Sequence, residues 1–266
     1  MKSNIISSVL LMVVFFVSLS FGKLIFNIFM SIVAIVALRE LLYIRSKDKH
    51  LPIEIEVLTY VLTIFFVMNN YSGYLDFYLV DYKLIASLIL VDLIPLVLIN
   101  NKKKYGLLDA LYLIGSTLFI GITFNLLTQF RSYDINYIIY IILIAIVTEA
   151  FAFITSAYIG KRRLLPTIIP KRTVEGEIGG IFMGTIVPTL FFISVIPTKL
   201  PVYAIFIITF ILSLLSQLGD LVFSFIKKEF NKKEFSNYYV VNGGILDSLD
   251  SIIFITLGFI LFVSII

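Results

Sequence analysis

The chain has 266 residues, of which 60% are hydrophobic and only 14% charged, and it carries a net charge of +4. Soluble domains hold about 25% charged residues, so a protein solvated on all sides is excluded. With no cysteine and a single histidine, disulfides and thiolate metal centres are excluded too; any metal must be held by oxygen, which favours hard cations such as Mg²⁺.

Apolar runs long enough to cross a hydrocarbon core of about 30 Å recur from end to end. In lipid they must be helices, because the bilayer offers their backbone groups no partners. In chain order they fall near 4–22, 24–44, 52–70, 84–100, 106–129, 135–159, 176–196, 201–226 and 250–266. The pattern predicts an all-α, polytopic integral membrane protein of about nine transmembrane helices. The first run, Asn4 to Phe21, has the length of a signal peptide but lacks a small-residue cleavage site, and a second span follows almost at once. It reads as a mature helix. His50 lies in a charged loop (RSKDKHLP) and reads as a solvated loop residue. Asp92 (LVDLIPL) lies inside the fourth run with Pro95 one turn later, where a packing role and a catalytic one fit equally. Residues 1–266 read as a single membrane domain, the spans of 1–134 leading into the motif-bearing spans of 135–266.

Lysine and arginine crowd the ends of the even-numbered spans. Arg45, Lys47 and Lys49 follow the second, and Lys102, Lys103 and Lys104 the fourth. Lys161, Arg162, Arg163, Lys171 and Arg172 follow the sixth, and Lys227, Lys228, Lys232 and Lys233 the eighth. Only Lys23, Lys83, Arg131 and Lys199 fall on the other side, and Arg39 lies within a span. The positive-inside rule then predicts a cytosolic N-terminus, an external C-terminus and a cytoplasmic-membrane location. The basic cytosolic face suits anionic headgroups or nucleotide phosphates. Lys102 to Lys104 read as a topology signal alone.

A carboxylate within a span is costly unless it is paired, solvated or protonated, so each one marks a functional candidate. Glu149 lies in the sixth run, with Ala152, Phe153, Ser156 and Gly160 read on the same face. The segment GKRRLLPTIIPKRTVEGEIGG follows, with Pro166 and Pro170 breaking the chain and Lys171 and Arg172 leading into a helix that starts at Thr173. Basic side chains beside the free N–H groups of a helix start make an anion site. Glu175 then falls in the first turn, and Gly176, Gly179 and Gly180 form a flat face for close helix packing. In GDLVFSFIKKEF, the positions of Asp220, Ser224 and Lys227 at i, i+4 and i+7 put an acid, a hydroxyl and an ammonium on one helix face. An internal ion pair at the helix end is the alternative reading of that stripe. In NGGILDSLDS, Asp247 and Asp250 stand at i and i+3, and Gly243 and Gly244 permit a tight turn with backbone N–H groups close to an anion. Favourable placement of acids in a first turn explains either aspartate alone. Oxygen ligands, helix-end phosphate sites and a basic boundary suit phosphoryl or nucleotidyl transfer to a lipid headgroup, without selecting the nucleotide.

These segments, in this order, resemble the phosphatidate cytidylyltransferase (CDP-diacylglycerol synthase) family. Its signature S-x-x-K-R-x(4)-K-D-x(6)-G-H-G-G-x-x-D-R-x-D aligns without a gap on Ser224, Lys227, Lys228, Lys233, Glu234, Asn242, Gly243, Gly244, Asp247, Ser248 and Asp250. An upstream pattern, D-x-x-A-Y…G-K…S-P-x-K-T-x-E-G-x-x-G-G, falls on Glu149, Ala152, Phe153, Gly160, Lys161, Ile169, Pro170, Arg172, Thr173, Glu175, Gly176, Gly179 and Gly180. The match is close over roughly the last 120 residues, and earlier pieces such as Arg39-Glu40 and the Tyr112 region agree. The signature histidine is Asn242, which hydrogen-bonds but does not titrate near pH 7. Its second arginine is Ser248, which removes a charge.

The resemblance implies a divergent member that retains metal and nucleotide binding and makes CDP-diacylglycerol and pyrophosphate from CTP and phosphatidate. It implies Mg²⁺ on Asp220 and Asp247, with a second, monovalent cation and a homodimer as further expectations. Asp220, Lys227, Asp247 and Asp250 are the implied catalytic residues. Lys171, Arg172, Thr173, Glu175, Ser224, Lys228, Asn242, Gly243 and Gly244 are the implied substrate-binding residues. Nucleic acid has no place in this reading. A transferase with a different lipid acceptor, and a degenerate lipid-binding paralogue, are the alternatives. A transporter fits less well, because the acids gather at one face.

Overall fold

The computed structural model describes residues 15, 17–45, 51–69, 82–99, 101, 104–166, 169–232, 234–236 and 244–263, with the backbone alone for 170 and 171. Most of the first apolar run, His50, Lys47, Lys49, Lys102, Lys103, Lys233, Asn242 and Gly243 lie outside the described residues. Eight complete helices are described: α1 (Lys23–Arg45), α2 (Ile53–Met68), α3 (Tyr82–Ile99), α4 (Leu107–Tyr133), α5 (Ile135–Ile159), α6 (Val174–Val195), α7 (Val202–Glu229) and α8 (Ile245–Val263). Seven of them are long and apolar enough to cross a membrane, so the chain is a multi-pass α-helical membrane protein. Helix α2 is the exception. Its 16 residues rise about 24 Å, short of a hydrocarbon core of about 30 Å.

One element departs from the hydropathy pattern, which predicts only a break after the sixth span. Residues Arg163–Leu165 (β1) and Ile169–Thr173 (β2) pair as a two-stranded antiparallel hairpin, with Arg163 opposite Thr173 and Leu165 opposite Ile169. Of the prolines read as breakers, Pro166 directly follows β1 and Pro170 is the second residue of β2, in a ladder whose register is irregular, as suits a residue without an N–H to donate.

The chain divides into two compact units, Met1–Ser132 with Glu234–Leu246, and Tyr133–Lys233 with Asp247–Ile266. In the first unit, polar side chains clamp helix ends. Arg45, in the last turn of α1, donates to the Leu108 carbonyl and to Asp109 (2.7 and 2.6 Å) and lies over the Tyr112 ring. Asn125 of α4 donates to the carbonyls of Phe66 and Asn69 at the end of α2. Asp92 is fully buried on α3 in this unit.

Glu40 of α1 is also buried. Its carboxylate accepts from the Ser236 hydroxyl and from the backbone N–H groups of Ile245 and Leu246, each at 2.9 Å. These N–H groups open α8 and have no partner inside the helix. Gly244, just before them, has φ +105°, and a Cβ there would stand 2.7 Å from the Glu40 carboxylate. Both facts require glycine. The close approach of backbone to an anion expected near this glycine is therefore made to an internal carboxylate.

The second unit is an antiparallel bundle. Glycines of α6 lie directly on α5: Gly176 on Ala152 and Ser156, Gly179 on Thr155, Gly180 on Thr148 and Ala152, and Gly184 on Thr148. The flat face read from Gly176, Gly179 and Gly180 is this contact, extended by one turn. Phe153, read on the α5 face with Ala152 and Ser156, is instead 74% exposed, as suits a lipid-facing side chain. Hydroxyls lie inside, where Tyr140 meets Thr209 at 2.7 Å and Thr148 meets Ser213 at 2.9 Å. Such bonds hold helices together where lipid offers no alternative partner. Phe223 packs on Phe254, and Gly258 on Leu212 and Leu215, setting α8 antiparallel to α7.

Three variants check these contacts. Gly180→Val drives a branched side chain against the Thr148 carbonyl and should lower stability by roughly 1–3 kcal/mol, read by denaturant titration in mixed micelles, whereas Phe153→Ala should not. Glu40→Ala strips the α8 start of its acceptor and should cost on the order of 1–3 kcal/mol in the same titration.

Candidate active site

The bundle geometry brings the C-terminal end of α5, the start of α6, the end of α7 and the start of α8 to one end of the second unit. Antiparallel order alone accomplishes this. Segments far apart in sequence converge there, and the charged residues named from sequence lie on them.

Thr173 is the N-cap of α6. Its hydroxyl oxygen accepts from the Gly176 N–H at 3.1 Å, and the hydroxyl donates to Ser156 of α5 at 3.0 Å. Glu175, in the first turn, accepts from the backbone N–H groups of Lys161 and Arg162 at 3.1 Å each, which fastens the hairpin base to the helix start. The side chains of Thr173 and Glu175 thus build the corner that presents Arg172. Of Lys171, the structure places the backbone in β2.

Arg172 reaches two carboxylates at once. One guanidinium nitrogen lies 3.0 Å from Glu177 on α6, and the other pairs with Asp220 on α7. Gln217, one turn before Asp220, donates to the Glu177 carbonyl at 2.8 Å and ties α7 to α6 at this level. The Asp220, Ser224 and Lys227 stripe holds, since all three lie on continuous helix and are partly buried. Lys227 meets Asp247 of α8 at 2.5 Å. Lys228 beside it is exposed.

Helix α8 begins at Ile245, so Asp247 and Asp250 both fall in its first two turns. Asp250 is buried where its backbone carbonyl lies against Gly219, and its carboxylate accepts from the Ser251 N–H at 2.6 Å. Glu149, Asp247 and Lys227 are close enough to Asp250 to act on its charge. The structure therefore joins Arg172, Asp220, Lys227, Asp247 and Asp250 around the meeting of α6, α7 and α8. Chemically, this is a set of carboxylates and cations at a helix-bundle mouth, with Asp220 paired to Arg172 and Asp247 to Lys227.

Sequence reasoning missed Glu177 and Gln217. Glu177 falls at an unspecified position of the upstream pattern, and only its placement five residues after Arg172, in a first turn, carries a signal. Gln217 carries none, because its partner is a backbone carbonyl on another helix.

Comparison with known proteins gives a match of the cytidylyltransferase family to residues 2–266. The phosphatidate cytidylyltransferase of Staphylococcus aureus (strain COL) is 33% identical over 257 residues, 96% of this chain and 96% of its own. Those of Staphylococcus saprophyticus and Staphylococcus epidermidis are 31% and 29% identical over 255 residues, with the same coverage of both chains.

Thr173 tests whether the corner is structural. Thr173→Ala removes the cap and should cost about 1 kcal/mol of stability, while Thr173→Ser should restore it, both measured by thermal unfolding in detergent.

Proposed function

We propose, from the premise that the chain belongs to the cytidylyltransferase family, that it is a nucleotidyltransferase joining the cytidylyl group of CTP to phosphatidate. The products are CDP-diacylglycerol and pyrophosphate, and the setting is phospholipid biosynthesis. The observation that carries this reading is the match across residues 2–266, supported by relatives of that activity over 96% of the chain.

A phosphate oxygen of phosphatidate attacks the α-phosphorus of CTP. The new P–O bond forms as the bond from the α-phosphorus to the α–β bridging oxygen breaks, and pyrophosphate departs with that electron pair. Phosphatidate is an anion at neutral pH, so no general base is needed, and Asn242 in the place of the signature histidine is compatible with the reaction.

The acids of the cluster fit the metal that the family resemblance implies. Mg²⁺ is commonly held by one or two carboxylates, with water and substrate phosphates completing its shell. Asp220 and Asp247 supply two carboxylates, and among the described residues no group of three His, Cys, Asp or Glu side chains could hold a metal alone. On this reading Asp220 and Asp247 hold Mg²⁺, which when bound neutralises charge on the triphosphate and the leaving pyrophosphate. Lys227, Lys228, Lys171 and Arg172 donate to phosphate oxygens. Asp250 backs Lys227 and Asp247, and Thr173 and Glu175 hold the corner that carries Arg172. Ser224, Asn242 and Gly243 belong to the same substrate-binding set, whereas Gly244 serves the contact with Glu40. The reading extends to a second, monovalent cation and to a homodimer. The site faces the cytosol in the cytoplasmic membrane, supported by the basic residues at the ends of α5 and α7.

The test is conversion of CTP and phosphatidate by the purified chain in mixed micelles with Mg²⁺. Asp220→Asn and Asp247→Asn should each lower kcat by roughly 10²-fold or more. Turnover with another lipid phosphate alone would move the acceptor. No turnover with any phospholipid acceptor, from folded protein that binds CTP, would overturn the enzymatic reading.

A further inference from the structure

Arg172 stands where the family pattern has lysine, and Glu177 stands where the pattern specifies nothing. A lysine is a single point charge, whereas a guanidinium is a planar fork that can hold two carboxylates at once. Arg172 does so, with one nitrogen on Oε1 of Glu177 and the other on Oδ2 of Asp220. Glu177 is only 7% exposed, and its second oxygen, Oε2, is buried with no hydrogen-bond partner among the described residues. A buried acceptor without a donor is costly and calls for a reason. The reason here is geometric. A guanidinium already bound to Oε1 needs only to turn for its second nitrogen to reach Oε2, closing a two-point carboxylate pair. Gln217 holds the Glu177 backbone meanwhile, so the acceptor stays in place.

We propose that Glu177 is a positioning residue that makes Arg172 an exchangeable counter-ion of Asp220. In the resting protein Arg172 neutralises Asp220. As Asp220 turns to a divalent cation, Arg172 moves onto both oxygens of Glu177 and stays at the site as a cation. The inference rests on the reading of Asp220 as a metal ligand.

The test is Mn²⁺ binding, followed by electron paramagnetic resonance on the full chain in detergent, without CTP or lipid. Wild type should bind Mn²⁺ and D220N should not. In E177Q, Arg172 is left to Asp220 alone, and Mn²⁺ should bind roughly 5-fold or more weakly. In R172M the competitor is gone, so binding should be tighter than in wild type, and the double variant should behave as R172M. A general structural defect would weaken binding in both single variants, so the opposite signs separate the two explanations. Wild-type-like binding in E177Q, or weaker binding in R172M, would overturn the inference while leaving Asp220 as a ligand. Absent or Asp220-independent Mn²⁺ binding in wild type would overturn the metal reading and the inference with it. Should E177Q fail to fold, R172M alone decides: tighter binding supports the inference and weaker binding overturns it.

Discussion

A charge within a membrane span must be neutralised where it sits, and this constraint organises the second unit. Asp220 cannot find a partner by reaching into lipid, and neither can Asp247. Each obtains a cation from a different element: Arg172 comes from the hairpin and Lys227 from the neighbouring helix. The pairs therefore cross-link the hairpin to α7 and α7 to α8. Ion pairs of this kind add little net stability, because desolvation offsets much of the attraction, but removing one partner is costly. Their value lies in holding charge at one end of an otherwise apolar bundle.

That arrangement needs helices that approach closely, which the glycines of α6 permit. With a side chain at Gly176 or Gly180, α5 and α6 would be forced apart. The Thr173 cap could not then reach Ser156, and the corner holding Arg172 would lose its anchor. Packing and chemistry are set by the same five or six residues at the start of α6.

Features with a local period were legible in the sequence. Seven of the nine expected spans, the small-residue face of α6, the cap at Thr173 and the Asp220, Ser224 and Lys227 stripe each follow from spacing along one helix. Features made by long-range pairing were not. Glu40 bonds Ser236, Ile245 and Leu246, about two hundred residues away. Nothing near Glu40 announces that partnership, although Gly244 hinted at an anion beside it. The hairpin was hidden because two short strands interrupted by proline look like a loop to any hydropathy reading. Glu177 was hidden because two acids in a helix's first turn are ordinary, and only the tertiary contact separates their roles.

The bond between Glu40 and the α8 start has a consequence for the order of synthesis. Glu40 is made early, in α1, while its three described donors are made only after almost the whole second unit has been translated. The first unit is thus interrupted in sequence by the second and cannot be completed until residue 246 has emerged. Until then the Glu40 carboxylate lacks these three donors. A chain stopped before α8 would leave Glu40 without the two backbone donors that open that helix.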